Sequence, residues 1–198
     1  MLVHAVQALL ADERIADVVV GVQSDDQLAA MHVGDVDRVK VLPSAGSTRA
    51  QTVLQTLRGS PFESHDWVLV HDAARPRLPI ERLRALIDCC MQHNQGGLLA
   101  MPAADTVKLA QSVDRADLSM AQVKTTLPRQ SIWLAQTPQM FRVGELEAAL
   151  SAALQAGVEV TDEASAMEWA GHQPLLVPGS PSNLKITWPE DFEWVKEV

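Results

Sequence analysis

The chain has little cysteine, few aromatic residues and no excess of positive charge. Its only two cysteines among 198 residues are neighbours, Cys89 and Cys90. No disulfide framework can be built from them, and they fit core or half-buried thiols in a protein of the reducing cytoplasm. Sixteen Lys and Arg face 25 Asp and Glu, a net charge of -9 with a pI near 5.0. That balance argues against the basic stripe of a nucleic-acid binder, but a phosphorylated small molecule can still be held by a few local cations. No apolar run approaches the length of a membrane span, and the start lacks a charged region followed by an apolar one, so neither membrane insertion nor secretion is expected. The histidines His4, His32, His65, His71, His93 and His172 show no metal-ligand spacing, which speaks against zinc. There is no internal repeat and no low-complexity tract.

What is present is a core. With 47% hydrophobic residues, the chain is long enough for one sizeable domain over 1–198. Strand and helix patterns alternate throughout, the signature of a three-layer α/β fold. The chain opens in a helical spacing of Leu2, Val6, Leu9 and Leu10. Buried strands are predicted at Ala16 to Val22, Arg38 to Leu42 and Trp67 to Val70, then at Leu98 to Met101, Leu175 to Val177 and Leu184 to Thr187. Helices are predicted to start at Ser24-Asp25-Asp26, at Ser47 or Thr48, at Pro79, at Val143, at Thr161 and at Pro189. The tryptophans, Trp169, Trp188 and Trp194 among them, are expected in the core because each can bury a large area.

The most informative stretch is His71-Asp72-Ala73-Ala74-Arg75-Pro76, directly after the apolar run Trp67-Val68-Leu69-Val70. Four apolar residues in a row fit a strand covered on both faces of a mainly parallel sheet. A carboxylate at the carboxyl edge of such a sheet stands where open α/β folds bind their ligands, and it suits a metal-phosphate site. A plainer reading is also open, in which Asp72 caps a turn and Arg75 pairs with it. Residues 104–132 break the rhythm, with weak alternation around Thr106-Val107-Lys108 and Val123-Lys124-Thr125. They read either as an extended hairpin arm that needs a second subunit for packing, or as a surface loop.

Four stretches carry a resemblance. They are Val68 to Pro76, Thr137-Pro138-Gln139-Met140-Phe141, Thr161-Asp162-Glu163-Ala164-Ser165-Ala166, and Asn183-Leu184-Lys185-Ile186-Thr187 with Pro189-Glu190-Asp191. In this order and spacing the sequence resembles the 2-C-methyl-D-erythritol 4-phosphate cytidylyltransferases of the non-mevalonate isoprenoid pathway. The resemblance implies a Rossmann-like nucleotidyltransferase fold with an extended β-arm, CTP and methylerythritol phosphate as substrates, Mg2+ as cofactor, and a cytoplasmic homodimer. It assigns Asp72 to the magnesium near the CTP phosphates, Ala73 to close approach of the ribose and Arg75 to the substrate side. Gly46, Ser47 and Thr52 fall at the cytidine-contacting turn, although Ser47 and Thr48 can equally be a plain helix cap. Lys185 would bind the phosphate of methylerythritol phosphate, with the Thr137 hydroxyl nearby. Thr106 and Arg129 would reach from the arm into the partner's site.

The sequence departs from the family at several places. Ser47 replaces a frequent acidic residue, Ser182 a second metal-side Asp, Trp188 a common Arg, and Pro128 an acidic residue before Arg129. The family also opens with a strand and a loop of the form Ala-Ala-Gly-x-Gly-x-Arg followed by a Lys-Gln pair. Met1-Leu2-Val3-His4 aligns beyond that loop, so a segment of about 30 residues or more, the size of one βα unit and including the first strand, is expected to be missing from this sequence. Such a chain is expected to leave neighbouring strand edges unpaired and to have little activity, since losing one transition-state cation typically costs about 10²–10³ in rate. Ribitol 5-phosphate cytidylyltransferase, and a non-catalytic partner that binds substrate or dimerises, are the rival readings.

Overall fold

The computed structural model describes residues 1–111 and 121–194. Helices and strands alternate as the sequence patterns require. The order is α1 (Leu2–Leu10), β1 (Val18–Gly21), α2 (Leu28–Val33), β2 (Val39–Leu42), α3 (Arg49–Gly59), β3 (Trp67–Val70), α4 (Ile80–His93), β4 (Gly97–Pro102), β5 (Val107–Ala110), β6 (Val123–Leu127), β7 (Trp133–Arg142), α5 (Val143–Gln155), α6 (Glu163–Trp169) and β8 (Leu175–Pro178).

The described residues form three sheets. β1 and β2 pair in parallel, β3, β7, β4 and β8 make a four-stranded sheet, and β5 and β6 make the antiparallel arm. Within the four-stranded sheet β7 runs against both β3 and β4, while β4 and β8 are parallel. Three strands therefore share one direction and β7 alone is reversed. The reason lies in the chain's path: β4 leads into the hairpin arm, and a hairpin returns its chain antiparallel to the strand it left. β1 pairs only with β2 and β3 only with β7, so each has one edge with no ladder partner among the described residues.

β7 is the longest strand, and the sequence patterns did not reveal it. Pro138 within it and the polar residues Gln136, Thr137 and Gln139 argue against a central strand. The structure accommodates Pro138 at an irregularity: Leu98 pairs with Gln139 and Ala100 with Ala135, so residues 136–138 together oppose Leu99. Pro138 thus falls where the ladder is interrupted, and Thr137 is free to point away from it.

Alternate residues of the sheet feed two cores. Leu99 packs with Val6, Leu9, Leu83, Leu86, Ile87 and Cys90 from α1 and α4 on one face. Leu98 packs on the other with Leu54, Phe141, Leu146, Leu150 and Met167, from α3, α5, α6 and β7. This is the expected three-layer arrangement, and each fully buried Leu contributes about 1.5–3 kcal/mol. At the far end of β3, the Arg142 guanidinium stacks 4.0 Å from the Trp67 ring centroid and donates to Asn94 Oδ1 at 2.8 Å.

Several expectations need correction. Leu184 to Thr187 joins no ladder; it runs beside the His71–Pro76 loop and is fastened to it by Ile186 N–H donating to Ala74 O at 2.8 Å. The helix expected from Pro189 is a 3-10 turn over Pro189–Trp194. Trp169 and Trp188 are 47% and 66% exposed, so neither is a core residue; one ends the short α6 and the other precedes the final turn. The arm is a hairpin as expected at β5 and β6, and its residues 112–120 lie outside the described residues.

Candidate active site

β3 ends at Val70, and the chain turns at once. His71 and Asp72 follow, and Arg75 N–H closes the turn on Asp72 O at 2.9 Å. The loop is held from beneath by Thr137 on β7. Thr137 is 4% exposed, and its hydroxyl accepts from Asp72 N–H at 3.0 Å and contacts His71 Nδ1 at 2.9 Å. His71 Nε2 lies 3.0 Å from Arg75 O. A carbonyl can only accept, so Nε2 carries the ring proton, and Nδ1 accepts from the Thr137 hydroxyl. Burial pushes the His71 imidazole down to about 4, which keeps this neutral tautomer in place at physiological pH.

Three cations gather at the Asp72 carboxylate. Arg49 Nε donates to Oδ1 at 3.0 Å, Lys185 Nζ sits 2.9 Å from Oδ2, and Arg75 Nε is at a longer 3.9 Å. Burial opposes ionisation of Asp72, but Arg49 and Lys185 outweigh it and hold the carboxyl below its ordinary value. Arg75 turns the other way and donates from Nη1 to Asn183 O at 2.7 Å. The plainer reading from the sequence holds in that the turn exists and Arg75 pairs with Asp72 across it at 3.9 Å, but Arg49 and Lys185 pair with the carboxylate more closely. Asn183 is fully buried and donates to Thr137 O at 2.7 Å. That bond and the Ile186–Ala74 bond seat the segment carrying Lys185 against the loop carrying Asp72.

Behind Arg49 stands Glu163, the first residue of α6, with a fully buried side chain. Arg49 Nη1 and Nη2 meet its two oxygens at 2.6 and 3.0 Å. Burial pushes the Glu163 carboxyl up, against the pull of Arg49. Burial likewise works against the Arg49 charge, and Glu163 and Asp72 overcome it. Asp162 caps α6, its Oδ1 accepting from Ser165 N–H at 2.8 Å while Ser165 Oγ accepts from Asp162 N–H at 3.2 Å. Gln139 of β7 fastens this helix start by accepting from Ala164 N–H at 2.8 Å and donating to Asp162 Oδ2 at 2.9 Å.

The structure brings Asp72, Arg75, Lys185 and Thr137 together, with Ala73 exposed on the same loop. It gives Thr137 a different task from the expected one, because its buried hydroxyl is already committed to Asp72 and His71. The Gly46–Thr52 turn is also internally occupied. Thr52 Oγ1 accepts from Gly46 N–H and donates to Thr48 O, both at 3.0 Å, and Ser47 Oγ donates to Gln51 Oε1 at 2.7 Å. A Cβ on Gly46 would come 2.4 Å from Gln51 Cβ, so the close approach at this glycine is to its own helix. Thr48, not Ser47, caps α3, accepting from Gln51 N–H at 3.2 Å. Thr106 is exposed on the arm, and Arg129 bonds Ala104 O at the arm's base; neither bonds the Asp72 cluster. Ser182 bonds Ser180 at 2.8 Å.

Sequence reasoning missed Arg49, Glu163 and Gln139. One signal was available: Arg49 opens a helix, where a cation opposes the helix dipole. Glu163 gave no such sign, because an acid at a helix start needs no further reason.

A strand-edge carboxylate among Arg and Lys side chains is equipped to bind phosphates and stabilise charge on them. The family model for "IspD: 2-C-methyl-D-erythritol 4-phosphate cytidylyltransferase" matches residues 1–197. The chain belongs to this family. The cytidylyltransferase of Bordetella petrii is 51% identical over 197 residues, covering 100% of this chain and 84% of that protein. The Vibrio vulnificus cytidylyltransferase is 44% identical, covering 97% and 79%. Among solved structures, a 4-diphosphocytidyl-2C-methyl-D-erythritol synthase superposes with a TM-score of 0.85 at 38% identity, covering 98% of this chain and 87% of the other. The Francisella tularensis cytidylyltransferase gives 0.82 at 33%, covering 98% and 85%. The family is one of nucleotidyltransferases, and the α/β layers of this chain agree with its fold.

Proposed function

We propose that the cleft around Asp72 joins CTP to 2-C-methyl-D-erythritol 4-phosphate, giving CDP-methylerythritol and pyrophosphate. The observation that carries this reading is the Asp72 cluster, a carboxylate at the end of β3 with Arg49, Lys185 and Arg75 around it, in a chain of the cytidylyltransferase family. A phosphate oxygen of the sugar alcohol attacks the α-phosphorus of CTP, and the bond to the pyrophosphate oxygen breaks. Little covalent work falls to the protein, so positioning and charge stabilisation dominate.

Asp72, 13% exposed at its side chain, offers one carboxylate, and no group of three or more metal-ligating side chains occurs among the described residues. That donor set fits magnesium that arrives with the nucleotide, since one carboxylate suffices where phosphates and waters complete the octahedron. Bound there, magnesium would neutralise charge on the phosphates. Lys185, 48% exposed at its side chain, supplies a mobile cation for the phosphate of the sugar alcohol. Arg75 orders the loop from the Asn183 side, and Gly46, Ser47, Thr52 and Ala73 border the nucleoside end.

The arm supports a homodimer. Leu109 and Val123 are 43% and 58% exposed on a two-stranded hairpin, and a lone hairpin is marginal without a packing partner. In such a dimer Thr106 and Arg129 would serve the neighbouring site. No helix is long and apolar enough to cross a membrane among the described residues, and a cytoplasmic location agrees with the two unpaired thiols.

The test offers the purified protein CTP, magnesium and methylerythritol phosphate, follows product by mass spectrometry, and measures binding of each substrate by calorimetry. Formation of CDP-methylerythritol supports the reading, whereas binding of methylerythritol phosphate that is lost in Lys185→Ala, with no turnover of CTP, favours a non-catalytic substrate-binding partner. Absence of binding to both substrates, or preference for ribitol 5-phosphate in competition, overturns it.

A further inference from the structure

We infer that Arg49 is a positioning residue, clamped by the buried Glu163, that fixes the Asp72 carboxylate so that Oδ2 can exchange partners without the carboxylate turning. This rests on the reading of Asp72 as the carboxylate of the nucleotide site.

The geometry is that of a bracket. A guanidinium is a planar fork with donors in fixed directions. Here two of its nitrogens are spent on both oxygens of Glu163, at 2.6 and 3.0 Å, leaving Nε for Asp72 Oδ1 at 3.0 Å. Bidentate pairing fixes orientation as well as distance. Glu163 is 1% exposed at its side chain, so water does not compete for it. It cannot drift either, because Gln139, itself 1% exposed, ties the first turn of α6 to β7 by two hydrogen bonds. The bracket therefore runs from the sheet through α6 and Arg49 to the loop after β3.

The two oxygens of Asp72 are consequently unequal. Oδ1 faces the clamped Arg49. Oδ2 faces Arg75 Nε at a long 3.9 Å, in a side chain held by Asn183 O, and Lys185 at 2.9 Å, whose side chain is 48% exposed, lies on a segment that joins no sheet, and has four flexible methylenes. When an anion or a metal enters the cleft, Lys185 is the partner free to leave. Arg49 then keeps the carboxylate charged and aimed. An arginine at the first position of a helix stands against the helix dipole, and the bracket gives a reason for tolerating it.

A double-mutant cycle on the full chain tests this. CTP binding in magnesium is measured by titration calorimetry for the wild type, Arg49→Gln, Asp72→Asn and the double variant, with turnover alongside. Arg49→Gln should weaken binding about tenfold, the scale of one charge-assisted hydrogen bond, and should cause no further loss in the Asp72→Asn background. Coupling of this kind marks groups that act through one another. Arg49→Lys should be nearly as weak as Arg49→Gln, because an ammonium cannot fork between two carboxylates. If Arg49→Gln fails to fold by circular dichroism, the isosteric Glu163→Gln takes its place in the same cycle. Additive losses, or full rescue by Lys, would show that Arg49 acts on the ligand directly or only by its charge, and the inference fails. If Asp72→Asn alone changes neither binding nor turnover, the assignment of the site fails instead.

Discussion

Replacing Thr137 with valine removes one hydroxyl from the place where β7 supports the His71–Pro76 loop. The side chain is nearly isosteric and 4% exposed, so packing changes little. Two partners are lost. Asp72 N–H no longer has the acceptor it held at 3.0 Å, and His71 Nδ1 no longer has the donor it held at 2.9 Å. A buried polar group left without a partner costs about 1–3 kcal/mol. With some relaxation of the loop the expected loss is about 2–4 kcal/mol. For a chain of this size each kcal/mol lowers the melting temperature by about 2–4 °C, so a fall of about 5–15 °C is expected in thermal melts followed by circular dichroism. Amide hydrogen exchange at Asp72 should accelerate at the same time. Thr137→Ser keeps the hydroxyl and gives up a methyl, at about 1 kcal/mol. A Thr137→Val protein that melts with the wild type and protects the Asp72 amide equally would refute the argument that this hydroxyl holds the loop.

Lys185→Ala should weaken binding of methylerythritol phosphate about 10–100-fold by calorimetry, the range expected for a charge-assisted bond to a phosphate, while the fold stays intact because the side chain is half exposed. Stability should fall as pH drops below 6.5. His71 is held down to about 4 in the folded chain against 6.5 unfolded, so between those values the unfolded chain binds the extra proton and acid favours it. A urea midpoint that is flat from pH 7 to 4.5 would contradict this. Gly46→Ala should destabilise by about 1–3 kcal/mol through overpacking, since its Cβ would meet Gln51 Cβ at 2.4 Å, as read from the shift in urea midpoint. If the proposed dimer forms through the exposed arm, Leu109→Glu with Val123→Glu should lower the sedimentation coefficient to that of a monomer; an unchanged coefficient would count against the arm as its interface.

The amino-acid sequence determined the local pieces. The runs read at Ala16 to Val22, Arg38 to Leu42 and Trp67 to Val70, which hold β1, β2 and β3, the helix starts read at Ser47 or Thr48, Pro79 and Thr161, which fall on or one residue before the caps, and the break at His71-Asp72 are written in short-range patterns of burial and capping. They suffice for an α/β domain and for a carboxylate at a strand edge. Leu184 to Thr187 shows the limit, because alternation alone cannot say whether a ladder partner lies alongside. β7 was hidden for a different reason. A proline and three polar side chains contradict a strand until the interrupted register opposite Leu99 places Pro138 where no ladder bond is needed.

Who meets Asp72 was decided by the tertiary structure alone. Arg49 lies 23 residues before it, and Glu163 lies 114 residues beyond Arg49. Nothing in their own neighbourhoods predicts the pairing, since ion pairs made across a fold depend on which helix starts the packing brings to one strand end. Thr137 carries the same lesson. A hydroxyl beside a phosphate site and a hydroxyl that supports a loop are the same residue in the sequence, and only the 4% exposure and the two committed hydrogen bonds tell them apart.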